Sequence, residues 1–267
     1  MGEGLLLAFG LTLMAGLATG VGSVLAFFTS STNTKFLSLA LGFSAGVMIY
    51  VSMIEIFVKA KDALVGDLGV ELGNWLTVIG FFGGMLLIAL IDKFIPKSGN
   101  PHEVKRVEEM KTEKVNDPNL LKMGTFTALA IAIHNFPEGI ATFTSALQDP
   151  SLGIAIAVAI AIHNIPEGIA VSVPVYFATG DKKKAFKLSF LSGLSEPIGA
   201  IAAYLILMPF LNDIMFGLIF AAVAGIMVFI SLDELLPAAK KYDEAHTSIY
   251  GLIAGMIVMA LSLLLFI

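Results

Sequence analysis

The chain has 267 residues, of which 57% are hydrophobic and only 14% are charged, and it contains no cysteine. Soluble domains carry about 25% charged residues, so this composition excludes an ordinary soluble fold and equally a disordered chain. The net charge of −5 argues against nucleic-acid binding, and the missing cysteine excludes disulfides, zinc–thiolate sites and thiol nucleophiles. A polytopic helical membrane protein remains.

Eight apolar runs are long enough to cross a bilayer as helices, which takes about 20 residues. They cover residues 5–28, 36–58, 72–94, 121–147, 154–177, 188–211, 214–236 and 247–267. Short polar connections separate the runs, except between the third and the fourth, where residues 95–120 are rich in charge and show no apolar periodicity. The sequence therefore predicts an all-α polytopic membrane protein with eight transmembrane helices. It forms a single domain over residues 1–267, with a mobile charged loop at 95–120.

The basic residues predict the orientation, because cytoplasmic connections of membrane proteins are enriched in Lys and Arg. With the N-terminus outside, the cytoplasmic connections hold 14 basic residues and the external ones hold only Lys59 and Lys61. We therefore expect a protein of the cell membrane with both termini external and the long loop cytoplasmic. The first charged residue is Glu3, so the first run lacks the basic start of a cleaved signal peptide and is predicted to be a mature span.

Two internal repeats are present. Residues 130–139 (AIAIHNFPEG) and 159–168 (AIAIHNIPEG) agree at nine of ten positions, and the second copy follows the first after about one span and a turn. Residues 45–55 and 224–234 share an Ala-Gly-aliphatic-Met start and, at matched positions further on, a Ser and a Glu. Since the predicted orientation runs these two helices in opposite directions, spans 1–3 and 6–8 are predicted to form an inverted repeat around spans 4 and 5. A chance recurrence in apolar helices is the alternative.

The duplicated His-Asn-x-Pro-Glu-Gly motif lies inside apolar runs in both copies. His134 and Glu138 are four residues apart and so share one face of a helix, as do His163 and Glu167. The proline of each motif frees a backbone carbonyl one turn earlier, which is tolerated at membrane depth where the backbone is buried or lines a cavity. A third acid, Glu196, precedes a proline in the sixth run. The acids of three successive runs therefore lie inside the membrane.

These acids predict a metal site. An ionised acid at the centre of a membrane helix costs about 2.5–3.5 kcal/mol, and no Lys or Arg lies at this depth to neutralise it. Carboxylate, imidazole and amide groups together suit Zn²⁺, Fe²⁺, Co²⁺ or Mn²⁺, whereas Mg²⁺ and Ca²⁺ favour oxygen alone. A single buried His or Asn would more simply form a helix–helix hydrogen bond, and a lone Glu a proton relay; the duplication favours metal. We expect two neighbouring ions, one held mainly by His134, Glu138, His163 and Glu167, the other by Asn135, Asn164, Glu196 and the bridging acids.

The motifs resemble those of the ZIP (Zrt/Irt-like) divalent-metal transporters, and most closely the ZupT-like bacterial zinc-uptake branch of that family. The paired HNFPEG and HNIPEG, the Ser-Glu-Pro of the sixth run, the eight helices and the long charged loop carry the likeness, which covers essentially the whole chain. The resemblance implies metal uptake into the cytoplasm through a binuclear mid-membrane site, with no cofactor besides the transported ion. The family's ligands correspond to His134, Asn135, Glu138, His163, Asn164, Glu167 and Glu196.

Acids near the membrane surfaces are candidates for ion capture and release. Glu55 lies near the outer end of the second run, and Asp233 and Glu234 lie near the inner end of the seventh; Glu55 and Glu234 are counterparts in the repeat. We expect Glu55 to help capture the ion and the other two to help release it. Interfacial carboxylates that meet headgroups or Lys59 and Lys240 are the alternative.

A secondary transporter is the function that the sequence favours over a metal-selective channel and a membrane metalloenzyme. The sequence has no P-loop motif, so gradients or cytoplasmic chelation would drive transport. An enzyme is disfavoured because di-iron proteins use Glu-x-x-His and zinc proteases use His-Glu-x-x-His, whereas this chain has His-x-x-x-Glu. The predicted partners are divalent metal ions (Zn²⁺ first, then Fe²⁺, Mn²⁺, Co²⁺ and Cd²⁺) and the lipid bilayer. Runs of small residues also allow a homodimer.

Overall fold

The computed structural model describes residues 2–28, 34–94, 118–207, 212–241 and 246–265, and within these ranges every regular element is a helix. The α-helices are α1 Gly2–Ala26, α2 Thr34–Tyr50, α3 Phe57–Leu68, α4 Val70–Phe94, α5 Pro118–Gln148, α6 Pro150–Thr179, α7 Lys182–Gly193, α8 Ser195–Ala202, α9 Asp213–Ile230, α10 Leu236–Lys241 and α11 Thr247–Leu265. Short π-helical segments, Val51–Ile56, Ala203–Leu207 and Ser231–Leu235, continue α2, α8 and α9. The predicted all-α class is confirmed.

Seven helical segments of the described ranges are long and apolar enough to cross a membrane. They are Glu3–Ala26, Ser38–Leu68, Val70–Lys93, Pro150–Thr179, Lys182–Ile206, Asp213–Lys241 and Thr247–Leu265. The predicted fourth span corresponds to α5, which has 31 residues but is less apolar because it carries imidazole, amide, carboxyl and hydroxyl side chains. The architecture is therefore the predicted polytopic membrane protein, with an eighth long helix that holds one copy of the motif.

Several helices extend beyond the predicted apolar runs, so some connections are very short. The second span continues through α3 to Leu68, and Gly69 alone, with a φ of 80°, joins it to α4. Glycine adopts this left-handed conformation without a steric cost. Between α5 and α6, the Asp149 carboxylate accepts hydrogen bonds from the backbone N–H groups of Ser151 and Leu152 and so caps α6. The predicted mobile loop at 95–120 lies outside the described residues up to position 117.

Helix packing divides the molecule into two groups. Helices α1, α5, α6, α7 and α8 pack on one another, and we call them the site group. Helices α2, α3, α4, α9, α10 and α11 form a second set, the frame group. The groups meet chiefly where α2 lies against α6 and α5 lies against α9.

Glycines bring backbones into direct contact within each group. A methyl group on Gly22 of α1 would overlap the carbonyl oxygen of Ile165 of α6, and one on Gly84 of α4 would overlap that of Ala222 of α9. Among the described glycines, none makes such a backbone contact between the two groups. Small residues allow this close approach of membrane helices; in the frame group they join α2 with α11 and, separately, α4 with α9.

The same glycine contacts occur in pairs. Gly22 of α1 lies against Ile165 of the second motif, and Gly199 of α8 lies against Phe136, which holds the equivalent position of the first motif. The frame group also has close glycine contacts at matched positions of α2 and α9. The π-helical segments Val51–Ile56 and Ser231–Leu235 likewise stand at matched positions of these two helices. These paired contacts favour the inverted repeat, which stays a prediction, with α1 corresponding to α7 and α8, α2 to α9, and α5 to α6.

Candidate metal centre

The two copies of the motif lie side by side in the site group. Helix α5 carries the first copy, α6 carries the second, and Glu196 lies in the first turn of α8. None of the seven predicted ligand side chains is more than 3% exposed: His134, Asn135, Glu138, His163, Asn164, Glu167 and Glu196. Both helices continue through their motif prolines, which therefore do not interrupt them.

Each histidine of the motif pairs with the glutamate of the other helix. His134 Nε2 lies 3.1 Å from Glu167 Oε1, and His163 Nε2 lies 3.3 Å from Glu138 Oε2. Residues four apart on one helix share a face, but here they bond across to the neighbouring helix rather than to each other. The two nearly identical segments thus form a symmetrical arrangement of four ionisable groups, and the structure brings together the members of the first predicted ion position.

Glu196 joins the centre through Asn164. The Asn164 amide Nδ2 donates hydrogen bonds to Glu196 Oε1 and, at 2.9 Å, to the backbone oxygen of Ala15. Gly139, the last residue of the first motif, makes this position accessible: a methyl group there would overlap the carbonyl oxygen of Glu196. The glycine therefore lets α8 approach α5 closely and places the third acid beside the two motifs.

Several polar atoms of the centre have no hydrogen-bond partner among the described residues. They are Asn135 Oδ1 and Nδ2, Glu138 Oε1, His163 Nδ1, Asn164 Oδ1 and Glu196 Oε2. A buried polar atom without a partner costs about 1–3 kcal/mol. Most of these atoms are oxygens with free lone pairs, which a cation can use directly. The chemistry of this set therefore fits a divalent cation better than a purely structural hydrogen-bond cluster.

The side chains as they stand do not yet form a coordination sphere. Among the described residues, no group of three or more His, Asp or Glu side chains is arranged to hold a metal ion. The crossed pairs give the physical reason, since each imidazole nitrogen that would face an ion faces a carboxylate instead. Metal binding would replace these hydrogen bonds with metal–ligand bonds, and the ligand set stays a prediction.

The predicted capture and release acids differ in their surroundings. Glu55 lies on the π-helical segment after α2, where Lys59 Nζ is 3.8 Å from its Oε1 and Asp149 interacts with it electrostatically. Glu234 is only 7% exposed and interacts electrostatically with His134, whereas Asp233 is exposed. Glu55 thus stands apart from the centre, and Glu234 faces it from the frame group.

The contribution of α1 to the centre was not anticipated from the sequence. The backbone oxygen of Ala15 accepts the Asn164 hydrogen bond, and the backbone oxygen of Thr19 accepts one from Ser189 Oγ at 3.3 Å. A methyl group on Gly168, the last residue of the second motif, would overlap that same Thr19 oxygen. The small residues of α1 were the available signal, because they permit such an approach without naming the partner helix.

Comparison with known proteins identifies the family of the chain. The profile of the ZIP Zinc transporter family matches residues 94–263. A protein named zinc transporter ZupT from Lysinibacillus sphaericus is 74% identical over 267 residues, which cover 99% of each chain. A protein of the same name from Oceanobacillus iheyensis is 74% identical over 265 residues, which cover 98% of this chain and 99% of the relative. Another from Clostridium perfringens is 64% identical over 275 residues, which cover 98% of this chain and 96% of the relative. The chain belongs to the ZIP zinc transporter family.

Proposed function

We propose that this protein takes up divalent transition-metal ions, Zn²⁺ before Fe²⁺, Mn²⁺, Co²⁺ and Cd²⁺, from outside the cell into the cytoplasm. The observation that carries the proposal is the meeting of two buried His–Glu pairs and a third acid inside a membrane protein of the ZIP family. The relatives named zinc transporters support Zn²⁺ as the first substrate. The protein acts as a carrier without enzymatic chemistry or a separate cofactor.

Two ions would occupy the centre. The crossed pairs of His134, Glu138, His163 and Glu167 supply two nitrogens and up to four oxygens, which is enough for one borderline divalent ion. The Asn164–Glu196 contact and the unpartnered amide of Asn135 support a second, more oxygen-rich position beside it. Glu138 and Glu167 would bridge the two positions.

Movement of the site group against the frame group would carry the ion. Backbone contacts at glycine join the helices of the site group to one another, whereas the boundary between the two groups is an apolar cluster. This cluster includes Met48 and Val51 on the frame side and Ile156 and Ile160 of the site group. Apolar surfaces can shift without breaking hydrogen bonds. An inverted repeat would give two related end states, one open to each side. Helices α1, α7 and α8 would therefore travel with the two motif helices.

The mouths of the path would be lined by the repeat-related acids. Glu55 would take up the ion from the external solution, and Asp233 and Glu234 would receive it on the cytoplasmic side. The electrostatic interaction of Glu234 with His134 supports the second role, because it couples an acid outside the site group to a residue of the centre. The salt bridge of Glu55 with Lys59 is the interfacial alternative, and it would have to open during capture.

The protein would lie in the cell membrane as one transporter domain, with both termini external and the loop at 95–120 cytoplasmic. The spans Val70–Lys93 and Thr247–Leu265 are the least buried within the molecule, each 22% buried in its most apolar window. Their exposed apolar faces suit lipid contact, and a second copy of the chain could cover one of them in a homodimer.

Transport by purified protein in liposomes tests the function. A metal-sensitive dye inside the vesicles should report Zn²⁺ uptake that saturates with concentration and exceeds that of protein-free vesicles. Flux that rises linearly with Zn²⁺ concentration would indicate a channel rather than a carrier. An absence of flux for Zn²⁺, Cd²⁺, Mn²⁺ and Fe²⁺ alike would contradict the proposal.

A further inference from the structure

A polar stripe follows α5 from the metal centre towards its C-terminal end. Glu138, Thr142, Ser145 and Asp149 are spaced by four, three and four residues, so they share one face of the helix and its immediate continuation. Thr142 and Ser145 are completely buried. We call these two residues, which stand between the two carboxylates, the hydroxyl step.

The hydroxyl step has no hydrogen-bond partner among the described residues. A Ser or Thr inside a helix commonly bonds back to the carbonyl one turn earlier. Thr144 does so, with its Oγ1 2.6 Å from the carbonyl oxygen of Ile140. Thr142 and Ser145 make no such bond, so their oxygens are not engaged by their own helix. Other buried hydroxyls of the described residues also lack partners, so the distinguishing feature of Thr142 and Ser145 is their place between Glu138 and Asp149.

The second motif helix lacks the hydroxyl step. At the equivalent positions of α6, Val171 and Pro174 replace Thr142 and Ser145. Val171 packs in an apolar cluster with Ala128 and Ile131. The same backbone position is thus filled by apolar side chains where it serves packing alone. The two hydroxyls belong to one copy of the repeat, on the side of the centre that leads to Asp149.

The stripe lies beside the boundary between the site group and the frame group. Its neighbour Ala141 belongs to the apolar cluster that also contains Met48 and Phe220 of the frame group. At its end, Asp149 interacts electrostatically with Glu55, which the frame group carries. The hydroxyl step therefore connects an acidic pair at one membrane surface with Glu138 in the middle of the membrane.

We propose that Thr142 and Ser145 line the external half of the ion path and replace water ligands of the ion as it passes from Asp149 to Glu138. This inference depends on the proposed transport function and on the external position of Asp149. Neutral hydroxyl oxygens solvate a divalent cation without adding charge, so the ion is not trapped between the carboxylates. Conduction through a narrow path needs such weak, successive sites.

Removal of the hydroxyls tests the inference. Thr142→Val keeps the shape of the side chain and Ser145→Ala removes a single oxygen, and one double variant combines the two changes. Thr144→Val is the matched control, because the Thr144 hydroxyl bonds to its own helix. We expect the initial rate of Zn²⁺ uptake into liposomes to fall about tenfold in the double variant, the effect of losing one hydrogen-bond-sized interaction at the barrier. Equilibrium Zn²⁺ affinity, measured by calorimetry, should not change. Thr142→Ser, which keeps a hydroxyl at this position, should transport Zn²⁺ at the native rate.

A second measurement does not depend on transport by the variants. The chain contains no cysteine, so Ser145→Cys introduces a single thiol in place of the hydroxyl. Because Ser145 is buried in this structure, a charged, membrane-impermeant methanethiosulfonate applied outside intact cells should label this thiol when the external half of the path opens, and Zn²⁺ should slow the labelling. The control Thr144→Cys should stay unlabelled.

The outcomes separate the two proposals. If the native protein neither binds nor transports Zn²⁺, the proposed function fails. If it transports Zn²⁺ and the double variant does so at the same rate, the hydroxyls solvate no ion and the inference fails alone. Equal labelling of the two thiols, or labelling of neither, would also overturn it.

Discussion

Helices α5 and α6 carry almost the same twelve residues, and they differ from the third residue after the shared glycine. Up to that point the two copies behave alike, since each histidine bonds the glutamate of the other helix. Beyond it, Thr142 and Ser145 of α5 are replaced in α6 by Val171 and by a second proline, Pro174. The duplicated half builds a symmetrical centre, and the divergent halves give that centre two different sides.

The largest expected effect comes from removing either glutamate of the crossed pairs. Glu138→Ala and Glu167→Ala should each lower Zn²⁺ uptake by at least about 100-fold, because a ligand is lost and the partner histidine stays buried without its carboxylate. Rates in liposomes and Zn²⁺ affinities by calorimetry measure both losses. Similar losses in the two variants would show that the two halves of the centre contribute equally to Zn²⁺ binding and transport. Normal binding and transport in both would refute the metal site itself.

The motif glycines test the symmetry through packing. Gly139→Ala and Gly168→Ala place a methyl group against the carbonyl oxygens of Glu196 and Thr19, and overpacking of this kind costs about 1–3 kcal/mol. We expect both variants to lower the melting temperature of the purified protein by similar amounts. Gly83→Ala on α4 is the control, because nothing lies within 4 Å of the added methyl group. Unchanged melting of Gly139→Ala would contradict the close approach of α8 to α5.

The smallest expected effect concerns the motif asparagines, whose contributions to stability should differ between the two helices. Asn164 donates to Ala15 and Glu196, whereas neither side-chain polar atom of Asn135 has a partner among the described residues. Asn164→Ala should therefore cost about 1–2 kcal/mol of stability through the lost hydrogen bonds, and Asn135→Ala should cost little. Thermal unfolding in the absence of metal measures this difference. Equal destabilisation by the two variants would show that Asn135 is also held by hydrogen bonds.

The sequence anticipated the elements better than their ends. Apolar runs and the four-residue His–Glu spacing are local features, so they predicted the helices and the place of the motifs on them. The family was predicted correctly from the resemblance of the motifs to those of known proteins. The ends were misplaced where polar residues continue a helix, as at Leu68, which the apolar run did not include. The lack of apolar character at the end of a run reports where the membrane ends rather than where the helix ends.

The centre shows the same division. The spacing indicated that His134 and Glu138 share a face, but not that each would bond to the opposite motif helix. Likewise, Glu196 was singled out as an acid beside a proline, while its contact with Asn164 depends on Gly139 and on the approach of α8. Pairings between helices come from packing across the molecule, which residue spacing within one helix does not encode.

From the sequence alone, hydropathy and helical periodicity predicted a helical membrane protein with a duplicated His-Asn-x-Pro-Glu-Gly motif, because both properties follow from neighbouring residues. Only the tertiary structure decided which helices form the site group, since that choice depends on which small residues allow backbones to touch. It also showed that, among the described residues, Thr142 and Ser145 remain without hydrogen-bond partners beside the boundary between the groups. The burial and the hydrogen bonds of a side chain depend on how the helices pack against one another, so residue spacing within one helix does not reveal them.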